Sequence, residues 1–188
     1  MRHRFVTSYA YELPFGPGKK LLSKGVAAAI LGGWQLNGIL AAQSGNPFTP
    51  TYSVNVANIS GGTQRPDRIA SGVIPYGDRT ASKWFEVSAF VSPPQYSFGD
   101  SGRNILTGPR LFQWDSSLFK LVTVRERIRV QFRAEVFNIL NHPDFAIPNA
   151  SIGTTQAGTI SALVGNSTLA AQPVGQPRQI QLALKLLF

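Results

Sequence analysis

The chain has 188 residues, a length that suits one domain with a sizeable core or part of something larger. It carries 18 Lys and Arg against 9 Asp and Glu, a formal charge of +9, yet only 14% of its residues are charged, so the excess reflects scarce acids more than a dense basic patch. Cysteine is absent, which excludes disulfide scaffolds, thiol catalysis and cysteine metal sites.

The first predicted element is RHRFVTSYAYELP, a strand over about 2–14. Phe5, Thr7, Tyr9, Tyr11 and Leu13 alternate with Val6, Ser8, Ala10 and Glu12, the period of two that marks a strand. FGPGKK breaks it, because Gly and Pro punctuate turns. Leu21 to Leu31 suits a short helix ended by Gly32-Gly33. Its apolar run VAAAIL is far shorter than the ~20 residues of a membrane-spanning helix. Met1-Arg2-His3-Arg4 leads into alternation and not into an apolar h-region, so no signal peptide is legible. That leaves a cytosolic chain, or a piece whose targeting segment lies upstream.

A second strand is predicted over about 34–57, with Trp34, Leu36, Gly38, Leu40 and Ala42 on one face. Residues 58–109, rich in Gly, Ser, Pro and Asp, read as a long irregular loop with a short helix around Ser82 to Phe85. Strands over about 110–124 and 127–140 make a hairpin. A turn at Arg125-Glu126 would pair Thr123 with Ile128, Leu121 with Val130, Phe119 with Phe132 and Ser117 with Ala134 on an apolar face. Val122–Arg129, Lys120–Gln131, Leu118–Arg133 and Ser116–Glu135 would then lie on the other face, and Asp115 opposite Val136 would interrupt the apolar one. A second long loop covers about 141–177. The last strand, about 178–188, alternates Ile180, Leu182, Leu184, Leu186 and Phe188 with Gln179, Gln181, Ala183, Lys185 and Leu187.

Connections alternate in length, tight after the first and third strands and long after the second and fourth. Outer-membrane barrels have this rhythm, with short periplasmic turns and long external loops. The expected fold is therefore all-β: an antiparallel up-and-down meander of about five strands, one part of a transmembrane β-barrel with long outer loops.

RHRFVTSYAYELPFG, GGWQLNGILAAQSGNPFT, FGDSGRNILTGP, WDSSLFKLVTVRERIRVQFRAEVFNILNHPDFAIPN and the closing PRQIQLALKLLF resemble the C-terminal end of a TonB-dependent receptor barrel. The closest likeness is to the Oar-like proteins of Acidobacteria and related soil bacteria, which often carry an N-terminal carboxypeptidase-regulatory-like domain. The resemblance covers nearly the whole chain and is most specific in QFRAEVFNILNHPDF and the terminal strand. It implies a ~22-stranded barrel with a plug, and energised uptake of an unidentified ligand across the outer membrane. It also implies that Ile180, Leu182, Leu184, Leu186 and Phe188 form the signal read by the barrel-assembly machinery. Residues 1–188 would then be the C-terminal part of a longer precursor. Its partners would be outer-membrane lipid, the assembly machinery and the missing N-terminal plug and strands, with TonB reached only through the missing part.

Other motifs support blander readings. GPGKKLLS lacks the spacing of a phosphate loop and reads as a turn. The basic residues Arg125, Arg127, Arg129, Arg133 and Lys120 suggest nucleic acid, but alternation with Ile128, Val130 and Phe132 fits a polar barrel lumen better. Lys120, Arg129, Gln131, Arg133 and Glu135 are the lumen-facing candidates, and nucleic acid is not an expected partner. His3 and His142 stand apart in separate connections, so no metal or other cofactor is expected. Asp115, Glu126 and Glu135 make no recognisable acid–base pair, and no G-x-S-x-G occurs, so no catalytic residue is assigned and the chain is expected not to be an enzyme. Sequons at Asn58, Asn149 and Asn166 carry no meaning in a bacterial outer membrane. Trp34 and Trp114 suit interfacial girdles, with a core role as an equal rival. The alternative from another class is a soluble or surface β-sandwich binding or adhesion module with a basic face. It would need a second sheet over the apolar residues.

Overall fold

In the computed structural model, which describes residues 2–125, 128–164 and 177–188, the alternating segments form one five-stranded sheet. Its strands are β1 (Arg4–Glu12), β2 (Trp34–Gln43), β3 (Leu111–Arg125), β4 (Ile128–Phe137) and β5 (Gln179–Leu187), side by side in chain order. β3, β4 and β5 pair antiparallel. β2 runs against β3, since Ser116 donates to the Asn37 carbonyl while Lys120 reaches back to that of Ile30. The sheet is the expected up-and-down meander. It does not close, and β1 and β5 are its edges.

β3–β4 pairing is displaced one residue from the sequence-based expectation. Val122 faces Val130, Lys120 faces Phe132, Leu118 faces Ala134 and Ser116 faces Val136. The cause is an irregularity between Thr123 and Arg125, after which Arg125 pairs with Ile128. A bulge adds one residue to one strand and so changes the register of everything beyond it. Glu126 and Arg127 lie outside the described residues.

The expected strand over 34–57 stops at Gln43. At Gly45 the backbone passes so near Gly108 that a Cβ would lie 1.9 Å from its carbonyl oxygen, and the Gly108 N–H donates to Asn46 O at 2.9 Å. Residues 47–57 then leave the sheet: Pro47–Phe48 pairs with Leu106–Thr107, and Thr51–Tyr52 with Ser151–Ile152. The helix α1 spans Gly25–Leu31, shorter than the expected Leu21–Leu31. Leu22 is left-handed (φ 50°), a conformation a right-handed helix interior does not hold, so the helix starts only after it, at Gly25. Ser82–Phe85 forms a turn, with 3-10 turns at Tyr76–Asp78 and Val87–Ala89 instead of the expected helix.

Contacts divide the chain into two units. One holds Arg4–Ala42, Phe112–Pro143 and Pro173–Phe188, hence the sheet; the other holds Met1–His3, Gln43–Leu111 and Asp144–Gln172. The hydrophobic core lies in the second. Phe48, Trp84, Phe85, Ala89, Phe90, Leu106 and Ile152 are buried together there, with Phe85 against Phe48 and Phe90 at ring-centroid distances of 5.8 and 5.9 Å. The long connections, expected as irregular loops, thus build a packed body.

Candidate functional site

Register sorts the sheet into two chemically distinct faces. On one face lie Val130, Phe132, Ala134 and Val136 of β4 and, opposite them, Leu186, Leu184, Leu182 and Ile180 of β5. Leu118 and Val122 of β3 continue it. Trp34 of β2 packs edge-on against Phe132 at 5.8 Å. Tyr9 of β1 lies over Gly38, where an added Cβ would meet the ring at 2.4 Å, so only glycine leaves the ring its place. The β5 part of this face is exposed, with Leu184 at 70% of its accessible surface and Phe188, just past β5, at 101%, while Val130, Phe132, Ala134 and Val136 of β4 are half-buried. The five residues Ile180, Leu182, Leu184, Leu186 and Phe188 therefore form an uncovered apolar row.

On the opposite face Arg129, Gln131, Arg133 and Glu135 lie across from Leu187, Lys185, Ala183 and Gln181. The Arg133 guanidinium stacks over Phe119 at 4.6 Å and stands 3.6 Å from the Glu135 carboxylate. Four of the five lumen candidates share this face. Lys120 does not, because the one-residue displacement turns it to the apolar side beside Phe132. There its ammonium donates to the carbonyls of Ala29 and Ile30, each at 2.6 Å, and lies 5.3 Å from the Trp34 ring. The same displacement removes Asp115 from the apolar face. Asp115 Oδ1 accepts from the Asn138 N–H at 2.9 Å and Oδ2 from Gln113 at 2.8 Å, so it braces the end of β4. Trp114 donates to the Tyr9 hydroxyl at 3.1 Å, which anchors it within the sheet.

After β4, Asn138 (φ 50°) and Asn141 (φ 52°) turn the chain in the left-handed region, where asparagine is the best-tolerated side chain after glycine. Asn138 exchanges hydrogen bonds with the backbone of His142, and Asn141 accepts from the Arg178 N–H at 2.9 Å. The asparagines of NILNHPDF carried this signal in the sequence, and their role in fixing how β4 hands over to β5 was missed. His3, the other histidine, uses its backbone N–H on the Ser44 hydroxyl. Among the described residues no group of three or more His, Asp or Glu is placed to hold a metal ion.

The packed body carries a second cluster the sequence did not announce. Arg110 stacks over Tyr76 at 4.4 Å, and Arg79 lies 5.8 Å from Tyr76 and 5.4 Å from Trp84. Arg79 and the Trp84 indole N–H both donate to Thr107 O, which holds the stack to its strand pair. Nearby in sequence, hydrogen bonds from Lys83 and Ser88 hold the Glu86 carboxyl below the usual carboxylate range. Residues from 76 to 110 meet only through tertiary folding, so no local spacing reveals them.

A five-stranded antiparallel meander with one uncovered apolar face, one polar face and two open edges is the wall of a membrane β-barrel. The family model for the outer membrane beta barrel domain matches residues 1–181. The chain belongs to that family and is an outer-membrane protein. Neither the comparison with curated proteins nor that with solved structures found a match.

Proposed function

We propose that the chain forms barrel wall and outer loops of a TonB-dependent, Oar-like receptor that takes up an unidentified ligand across the outer membrane. One observation carries this reading: the alternating apolar row of β5 stays exposed while its strand is fully paired to β4. Such a face needs hydrocarbon beside it. The strand lengths support the same setting. They are 9, 10, 15, 10 and 9 residues, against the ~9–11 that cross a bilayer when tilted. Both sheet edges present unpaired backbone groups, and hydrocarbon leaves no water to satisfy them, so further strands of a parent barrel complete them. In that setting Arg129, Gln131, Arg133 and Glu135 line the lumen, and the row ending at Phe188 is the assembly signal. Residues 44–110, with their Arg–Tyr–Trp stack, provide the outer, ligand-meeting surface. The soluble-sandwich alternative needs a second sheet over the apolar residues, and apart from the five strands the described residues form only three two-stranded pairs of two residues each.

The test has two arms. The gene product, tagged in the 58–75 segment, is followed by fractionation and by heat-dependent mobility on gels; it is expected in the outer membrane as a barrel. Recovery as a soluble monomer overturns the barrel reading. Cross-linking in energised cells then probes contact with TonB. A product that reaches the outer membrane but never cross-links overturns the uptake reading alone.

A further inference from the structure

Between β1 and β2 the chain makes an ordered knot from Pro14 to Gly33. Leu21 and Gly16 are bound through the pairs Leu21 N–Pro14 O and Gly16 N–Leu21 O, and Gly16 packs its backbone against Gly32 with no room for a Cβ. α1 closes the knot, and its outward residues are apolar. Val26 is 75% exposed and Ile30 60%, and Leu21, Leu22 and Leu31 are also exposed. An apolar cleft of about 230 Å³ lies alongside, lined by Leu13, Phe15, Leu22, Leu31, Trp34 and Leu118. Leu118 and Trp34 belong to the uncovered apolar face of the sheet, so cleft and face are continuous.

The C-terminus of α1 shows what surrounds it. A helix end leaves its last four carbonyls without intrahelical partners, and water normally satisfies them. Here the chain satisfies two of them itself, while Ala28 keeps its ordinary helical bond. Ala28 O accepts from Gly32 N at 2.9 Å, Ala29 O and Ile30 O accept from Lys120, and Ile30 O also takes the Trp34 indole N–H at 3.0 Å. A lysine on a largely apolar strand face is costly in hydrocarbon, unless its charge is spent on such partners. The ammonium also complements the negative end of the helix. Lys20 and Lys24 are exposed and flank Leu21 and Leu22 in sequence, the pattern of a segment lying in a bilayer interface.

We propose that residues 19–31 are a membrane-interface anchor: α1 lies in the leaflet at the short-turn end of the sheet, an acyl chain of a phospholipid fills the cleft, and Lys20 and Lys24 meet its phosphates. This rests on the sheet's apolar face lying in hydrocarbon. The absence of cysteine permits clean single-thiol reporters. The protein is assembled in nanodiscs of phosphatidylethanolamine and phosphatidylglycerol, carrying V26C, I30C, L184C or S60C, and is treated with a membrane-impermeant maleimide. V26C and I30C are expected to react at least about tenfold more slowly than S60C, as sites out of water do. Reaction at the S60C rate while L184C stays protected overturns the anchor and leaves the lipid-facing sheet intact. Rapid reaction of L184C overturns the lipid-facing sheet itself. A V26C disulfide dimer under mild oxidation identifies a second copy as the occupant and overturns the lipid. In a W84F/W114F protein, Trp34 fluorescence is expected to be quenched by phospholipids brominated on the acyl chain. Absence of quenching overturns the acyl occupant.

Discussion

Lys120 shows how one side chain changes meaning with one residue of register. Paired with Gln131 it would have been one more polar group on a polar face. Paired with Phe132 it donates to the helix-end carbonyls of Ala29 and Ile30, the latter shared with the Trp34 indole N–H. An orphaned carbonyl costs about 1–3 kcal/mol where water is scarce. Lys120→Met should therefore lower the urea midpoint for unfolding from lipid by a cost of that order, and Lys120→Arg should lose less. An unchanged midpoint for Lys120→Met would mean that water already serves those carbonyls. Glu86 tests the other solvent regime. Hydrogen bonds from Lys83 and Ser88 hold its carboxyl below its ordinary value. A depressed acid contributes stability above its unfolded value, and that contribution is lost as pH falls through the native value. The thermal midpoint of Glu86→Gln should therefore sit slightly below that of the parent chain at pH 7. The two should converge in acid, with a small gap throughout because the pair is exposed and screened. A gap that widens on acidification would contradict this.

At the scale of elements, β5 separates two kinds of position that alternate along nine residues. Leu184 sits near its middle, opposite Phe132 on the apolar face; Gln181 sits opposite Glu135 on the polar one. Leu184→Arg should destabilise the membrane-inserted protein by about 2–4 kcal/mol, as a charge at the bilayer midplane does. Gln181→Arg should change little and gains an acid across the strand pair. Reversible unfolding from vesicles measures both, and equal costs would remove the assignment of faces. Much of this was legible beforehand. The period of two located all five strands, because strand side chains alternate whatever lies beside them. It did not locate the bulge at Thr123–Arg125, since a bulge reflects how two strands close on each other and not any residue's preference. Nor did it end β2 at Gln43, where Gly45 meets a backbone 63 residues away in sequence.

For the molecule as a whole, the usual relation between strands and core is inverted. β5 carries a row of exposed apolar residues, while the buried apolar cluster lies in the connections, beside connection residues such as Tyr96 and Phe98 that stay exposed. The cause is the solvent: a sheet set in hydrocarbon needs no partner layer, whereas connections in water must bury their own apolar surface to hold a shape. Phe85, 2% exposed at the centre of the connecting body, should therefore be separable from the wall. Phe85→Ala should cost the body about 3–5 kcal/mol and open residues 44–110 to protease, while the five strands remain in the membrane fraction. If the strands were lost with the body, the two units would not be independent in stability.

Composition and alternation by themselves determined an all-β chain, five strands in order and a row of apolar residues ending at Phe188, because local periodicity follows from backbone geometry alone. Tertiary structure alone decided that Lys120 serves a helix, that Asp115 braces a corner, and that distant arginines and aromatics stack at Tyr76. Each depends on which backbone lies next to which, and that is settled by long-range closure that no stretch of sequence encodes by itself.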